Sequence, residues 1–304
     1  MSKRFLVTVF MLLPMVSSAQ DAAYCGDEGV WLQILGSGGS DITDQRSAAS
    51  YVVWHGEHAR LMVDTGSGSA LRFDEAGADF ADLDAIVYTR LQAYSTVDLP
   101  SLLEGSLRSG RERVLPVLGP ADPNGESTSA FIDRLIGPEG AYPYLSRFLG
   151  VDSPGGFRIS VRDVMAIGTR RWAEFGTDNL KLAAIPVHHG GLPALAWRVE
   201  IDDYSVVFAG GFSNQKGTVA KFAEEADALV VHHAISESAR GRIRDLYSRP
   251  SELGRIATDA KVRMLVLGHR TTRTLGMETI NTGAIREQYT GPLIFGDELE
   301  CWGL

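Results

Sequence analysis

Four short apolar, β-rich runs crowded into the first ninety residues, at 32–40, 50–54, 59–63 and 84–88, leave few architectures open to this chain. The second and third meet at His55-Gly56-Glu57 and read as a hairpin. The third ends in Asp64-Thr65-Gly66-Ser67-Gly68, and the fourth delivers the chain into Thr89-Arg90-Leu91-Gln92-Ala93-Tyr94-Ser95-Thr96-Val97-Asp98-Leu99-Pro100. A second set of strands follows at 180–189, 194–200, 205–209, 228–234 and 265–269, with a hairpin turn at Asp202-Asp203. Helical stretches fall between them at 97–107, 127–136, 217–226, 250–259 and 278–289. No low-complexity linker divides the halves. Strands and helices recurring in this way predict a single α/β domain, a four-layer αββα sandwich of two pseudo-repeated halves with a pocket at their shared edge. The segment 137–156, rich in glycine, proline and aromatic residues, reads as a lid over that pocket.

The order of these segments resembles the metallo-β-lactamase fold, in particular the branch of ribonuclease Z and the arylsulfatase-like hydrolases. In that family a strand ending in Asp-x-Gly precedes one ending in Thr-His-x-His-x-Asp-His, and a helix opening on Leu-Pro follows. Here Asp64-Thr65-Gly66 and Asp98-Leu99-Pro100 stand in the matching places. His188-His189-Gly190 resembles the segment of the third histidine, and Phe208-Ala209-Gly210-Gly211-Phe212-Ser213 the family's Phe-Ser-Gly-Asp-Thr-Ser. The run 228–234, ALVVHHA, is similar to the strand ending in Val-His-Glu-Ala, and Leu265-Val266-Leu267-Gly268-His269 to the strand of the last histidine. The resemblance covers nearly all of the chain after residue 29, so domain boundaries at 1–19, 20–28 and 29–304 follow.

The resemblance implies a dinuclear zinc centre, and the ligand positions it marks are largely vacated. Arg90, Gln92, Tyr94 and Ser95 stand where it places His, His, Asp and His, and Gly211 stands where it places the bridging aspartate. One site keeps at most His189 and the other His269. A catalytic zinc takes about three protein ligands plus an open position for water. A rebuilt centre is the alternative: His188/His189 and His232/His233 are adjacent pairs, each able to turn one member toward the pocket, so the candidate zinc set is His189, His232 or His233, and His269. In the matching His-Glu-Ala segment of ribonuclease Z the histidine assists proton transfer, which makes His232 a candidate for that role or a hydrogen-bonded relic.

Arg90 is permanently charged. In a former metal position it either orients an anionic ligand with Gln92, Tyr94 and Ser95, or fills the space the ion left, pairing with Asp64 or turning outward. Asp64 then orders a loop. The expected pocket comprises Asp64, Arg90, Gln92, Tyr94, Ser95, His189, Gly211, His232 and His269. His55 and His58 beside the first hairpin turn read as solvated. Asp64-Thr65-Gly66-Ser67 also matches the aspartic-protease signature, but that chemistry needs two facing loops and the chain has one such triplet. The glycine-rich runs at 36–40 and 66–69 lack the features of a Walker loop, a dinucleotide fingerprint or a nucleophile elbow.

Residues 1–19 carry Lys3 and Arg4, an apolar core at 5–16 and Ser17-Ser18-Ala19, the pattern of a cleaved signal peptide. A periplasmic or secreted protein with no membrane attachment after cleavage is expected. Cys25 and Cys301 are the two cysteines, and in an oxidising compartment they either pair or remain as buried thiols. A net charge of -9 opposes nucleic-acid binding. The expectation is an exported pseudoenzyme or small-ligand-binding protein without cofactor. The alternative is a hydrolase of ester or phosphodiester bonds using zinc at a rebuilt histidine site.

Overall fold

The computed structural model describes residues 25–150, 156–169, 175–177 and 179–304. The expected signal peptide lies outside the described residues, as does the end of the segment 137–156.

Two seven-stranded sheets stack face to face. The first contains β1 (Val30–Gly36), β2 (Ser50–His55), β3 (His58–Val63), β4 (Ala85–Val87), β5 (Leu115–Ala121) and β6 (Ile159–Met165) in that order. The second contains β7 (Phe175–Gly176), β8 (Lys181–Pro186), β9 (Leu195–Ile201), β10 (Tyr204–Gly210), β11 (Ala228–His232), β12 (Met264–Gly268) and β13 (Leu293–Phe295). The last strand, β14 (Cys301–Gly303), returns to the first sheet and pairs antiparallel with β1. The two halves share a plan. Antiparallel pairs β1–β2–β3 and β8–β9–β10 lead into parallel ladders β3–β4–β5 and β10–β11–β12.

Strand alternation assigns each side chain to a layer. Val206, Phe208 and Val230 join Leu32, Ile34, Val53, Leu61 and Trp197 between the sheets. Their neighbours Val207, Ala209, Leu229 and Val231 face outward onto Leu253, Ile256 and Ile285, from helices α6 (Pro250–Asp259) and α7 (Glu278–Arg286). On the other side Val52, Met62, Ile86 and Val117 meet Phe73, Leu102, Leu103 and Ile132. These come from α1 (Ser69–Glu75), α3 (Leu99–Gly105) and α4 (Thr128–Ile136). The architecture is the expected αββα sandwich.

Three local expectations need correction. The helix expected at 97–107 begins earlier and is broken, α2 (Ala93–Thr96) preceding α3, because Pro100 in the first turn of α3 starts a new helix. The helix expected at 217–226 shrinks to α5 (Val219–Phe222). The expected lid is instead part of the outer helical layer: its 3₁₀ turn Pro143–Leu149 buries Leu145 and Phe148 completely against that layer.

Cys25 and Cys301 form a disulfide with Cα atoms 5.4 Å apart, fastening the chain before β1 to β14. No described helix is long and apolar enough to cross a membrane.

Candidate functional site

The ends of β3, β4, β10, β11 and β12 converge at one edge of the sandwich, which is why residues far apart in sequence meet there. Asp64 follows β3, Thr89 and Arg90 follow β4, Gly211 follows β10, His232 ends β11 and His269 follows β12. Among the hydrogen bonds that tie the halves at this edge are Leu195 N–H to the Thr89 carbonyl at 2.9 Å and Trp197 Nε1–H to the Tyr88 carbonyl at 2.9 Å. Asp64 and His269 take left-handed backbone angles, φ 56° and 49°, although neither is glycine. Such angles store strain and cluster at functional sites.

Arg90 occupies the middle. Its side chain is fully buried. Nε donates to Thr89 Oγ1 at 3.3 Å, Nη1 to Tyr94 Oη at 3.2 Å and Nη2 to the Gly211 carbonyl at 3.3 Å. Nη1 also lies 3.5 Å from His189 Nε2. Arg90 neither turns outward nor forms a direct ion pair with Asp64. Thr89 stands between them: Asp64 Oδ1 accepts from Thr89 N–H at 2.8 Å, and Oδ2 from the Thr89 hydroxyl at 2.6 Å. Burial raises the Asp64 carboxyl to about 6, against the lowering pull of Arg90 and the Thr89 hydrogen bonds.

Gly211 makes this packing possible. A Cβ there would fall 2.6 Å from the Tyr247 ring and 2.8 Å from Arg90 Nη1, closer than real contacts allow. An aspartate at 211 and the present Arg90 and Tyr247 exclude one another.

The histidines divide. His189 Nδ1 lies 2.9 Å from the Leu246 carbonyl. Burial first, then the Arg90 charge, lower its pKa to about 3, so the ring is neutral and Nδ1–H donates to Leu246. Nε2 is then a lone pair facing Arg90 Nη1. Gln92 Oε1 lies 3.2 Å from the same atom, an acceptor facing an acceptor in this amide orientation, and itself accepts from the Tyr94 hydroxyl at 2.6 Å. His232 and His269 stack face to face, centroids 4.0 Å apart and planes 4° from parallel. Burial holds both well below 6.5, joined by His269 and Arg90 for His232, and by Arg90 and His189 for His269. Tyr94 and Tyr247 close over His269, with ring centroids at 4.9 and 5.9 Å.

Of the expected three-histidine sets, the one with His233 is not assembled, while His189, His232 and His269 share the edge. His232, in phase with Ala228 and Val230, is the member of its pair that faces the site. His233 points to the opposite face, its ring edge-on to Phe295 at 5.5 Å. No group of three or more His, Cys, Asp or Glu among the described residues is arranged to hold a metal ion. His55 and His58 sit at the surface, 3.0 Å from Asp202 and 2.9 Å from Asp82.

The expected pocket floor is closed. Asp64, Arg90, Ser95, His189, His232 and His269 are each at most 2% exposed. Gly211 is buried beneath Arg90 and Tyr247. Tyr94 borders an open cavity, a cleft of about 490 Å³ that Ser40, Asp41, Arg46, Ser67 and Val97 also line. The plug was not foreseen. Residues 246–248 supply it: the Leu246 carbonyl holds His189, the Tyr247 ring covers His189 and His269, and Ser248 Oγ donates to the Phe212 carbonyl at 2.9 Å. Nothing in Leu246-Tyr247-Ser248 marks it from sequence, since the contacts depend on how the preceding 3₁₀ turn, Gly241–Asp245, returns across the edge. The closure leaves buried polar atoms without hydrogen-bond partners: both ring nitrogens of His232, His269 Nδ1, Tyr51 Oη and Ser95 Oγ.

Residues 59–270 match the model of the β-lactamase superfamily domain. Ribonuclease Z of Thermobifida fusca (strain YX) is 26% identical over 271 residues, 80% of this chain and 84% of that protein. Ribonuclease Z of Mycobacterium sp. (strain KMS) is 28% identical over 253 residues, 78% of this chain and 82% of its own. Among solved structures, the metallo-β-lactamase fold protein YhfI from Bacillus subtilis superposes with a TM-score of 0.71 at 17% identity, over 90% of this chain and 99% of that one. Zn(2+)-bound PqqB from Methylobacterium extorquens superposes with a TM-score of 0.64 at 12% identity, over 90% and 100%.

Proposed function

Because the chain belongs to the β-lactamase superfamily, the question is what its altered centre still does, and we propose that it has exchanged metal-dependent hydrolysis for binding, as an exported pseudoenzyme. The observation that carries this reading is the Arg90 guanidinium, buried among Gly211, His189 and Tyr94. The side chains present do not fit a zinc pair. A zinc ion on His189 Nε2, at a bond length of about 2 Å, lies within about 5.5 Å of Arg90 Nη1. At an effective dielectric of about 20 the repulsion is at least about 6 kcal/mol. Moving Arg90 aside means passing Tyr94 and Tyr247, and Gly211 offers no carboxylate in return.

The rival reading, a hydrolase, is favoured by the chain's relatives, which are named ribonuclease Z. Against nuclease action stand the net charge of -9 and the closed centre. Export, to a periplasmic or extracellular site, draws on the signal-like residues 1–19 and on the Cys25–Cys301 disulfide.

Elemental mass spectrometry of the purified protein, beside hydrolysis of bis(p-nitrophenyl) phosphate with added zinc and with chelator, tests the reading. The expected result is substoichiometric zinc and no metal-stimulated turnover. Near-stoichiometric zinc, with turnover that chelation and His269→Ala both abolish, overturns it.

A further inference from the structure

Behind the closed centre, on the outer side of the Gly211–Ser213 turn, a separate cavity of about 300 Å³ opens between that turn and the segment leading into α6. Ser213, Asn214, Gln215, Arg244, Asp245 and Arg255 line it. Ser213 is 5% exposed, yet its hydroxyl has no hydrogen-bond partner, and Asn214 Oδ1 and Arg244 Nε are likewise buried and unpartnered. Burying such groups unsatisfied costs about 1–3 kcal/mol each; all three atoms lie sealed beneath the cavity wall, so a guest meets them only when these side chains turn outward.

The charges around it are divided. Glu252, also on the wall, is committed: it accepts from Arg244 Nη2 at 2.6 Å and from Arg249 through both its backbone N–H, at 2.8 Å, and its side chain, at 3.3 Å. Asp245 has only the Gln215 amide, at 3.3 Å, and no cation within ion-pair distance among the described residues. Arg255 is exposed and has no ion pair or hydrogen bond among the described residues. One carboxylate with an acceptor beside it, Asp245 and Asn214, and one uncommitted guanidinium therefore share a small cavity. A simple anion is repelled by the first and a simple cation by the second.

We infer that this cavity is a binding site for a small zwitterion of the α-amino-acid type, its carboxylate on Arg255 and its ammonium on Asp245, with Arg244, Asn214 and Ser213 turning their sealed polar atoms toward it. A guanidinium suits a carboxylate through paired N–H donors. An ammonium supplies three donors, to the Asp245 carboxylate and to the Asn214 and Ser213 oxygens once they turn. A volume of about 300 Å³ is at the lower end for ligand pockets, as a ligand of this size requires. The inference gives the binding reading a ligand class and rests on it for a chain that binds without turnover. Zinc content and phosphodiesterase activity report on that reading and amino-acid binding on this cavity alone, so the two fail separately.

Titration calorimetry of the intact protein with glycine and a panel of free L-amino acids at up to 10 mM tests it. At least one is expected to bind saturably. The N-acetyl and the amide derivatives of the tightest binder are each expected to bind at least fivefold more weakly, because each lacks one charge. Arg255→Gln and Asp245→Asn, both at exposed positions, are expected to weaken the parent at least fivefold with unchanged melting temperature of the free protein. Ser213→Ala weakens it without changing the preference among derivatives. No binding at 10 mM, or binding within fivefold of the parent by either derivative or by either charge variant, overturns the inference.

Discussion

Replacing Arg90 separates two accounts of the closed centre, one in which the guanidinium holds the edge together and one in which it is tolerated there. Arg90→Ala removes a fully buried side chain and leaves a void of a size that costs about 3–5 kcal/mol in protein cores. It also strips donors from the Gly211 carbonyl and from Tyr94, at 3.3 and 3.2 Å, adding about 1 kcal/mol for each weak bond lost. Against this stands relief of a buried charge that has no carboxylate in direct contact, worth several kcal/mol. The net expectation is a loss of about 3 kcal/mol. Arg90→Met keeps most of the volume, removes the same charge and is expected to stay within about 1 kcal/mol of the parent. Free guanidinium distinguishes a shaped cation site from a mere void. With a dissociation constant of about 10 mM, 30 mM guanidinium chloride restores about 0.8 kcal/mol to Arg90→Ala, while the parent and Arg90→Met gain nothing over equimolar sodium chloride. Urea unfolding monitored by tryptophan fluorescence reads all three. If Arg90→Ala is as stable as the parent, or guanidinium fails to restore it beyond the sodium control, the guanidinium does not hold the edge together.

Two further expectations concern the same edge. Gly211→Ala places a methyl against Tyr247 and Arg90 and is expected to cost about 1–3 kcal/mol by overpacking; an unfolding midpoint equal to the parent's contradicts the described packing. In acid the buried histidines dominate: His189 titrates near 3, His233 near 4, lowered by burial and by Arg270, and His232 and His269 well below 6.5. The unfolded chain protonates all four near 6.5, so it binds more protons than the folded one below that pH, and their contribution to stability, complete above about 6.5, is lost as pH falls. Asp64, raised to about 6, acts oppositely: its contribution is present below its ordinary 3.8 and lost as pH rises through about 6. Between about pH 4 and 6 it offsets up to one histidine, leaving a slope approaching about 4 kcal/mol per pH unit near pH 5. Urea unfolding at pH 7.5, 6 and 5 checks this, and a slope below one proton refutes it.

The fold was legible because its signal is local. Strands such as 59–63 and 228–232 are short apolar runs closed by glycine or a polar turn, and α6 announces itself with Pro250 at its first turn and Glu252 three residues after Arg249, reaching back to the Arg249 N–H. The site was legible as a set of positions. Arg90, Gln92, Tyr94, His189, Gly211 and His269 do converge, since the topology brings those strand ends to one edge. Which of His232 and His233 faces that edge was not decided by the adjacent pair alone and follows from the phase of β11. Nor could the sequence display closure, because the atoms responsible, the Leu246 carbonyl and the Tyr247 ring, act through a return of the chain whose geometry no local pattern encodes.

Closure also explains why these replacements form a set. A glycine at 211 alone would leave a hole beside the strand end, and an arginine at 90 alone would drive its guanidinium into the side chain of any residue larger than glycine at 211. Tyr247 completes the fit, stacked over His269 and perpendicular to the His189 ring. Each change is costly without the others, so the energy of the edge resides in their combination, and single reversions toward the family's ligands are expected to destabilise before they restore any affinity for metal. A histidine at 90 in the presence of Gly211 and Tyr247 faces His189 and the stacked His232–His269 pair without a bridging carboxylate, which adds a fourth neutral ring to a cluster that already leaves three ring nitrogens of that pair unpartnered. Of the histidines, His189 is the one Arg90 reaches directly, at 3.5 Å, so a change at 90 is felt first by that ring.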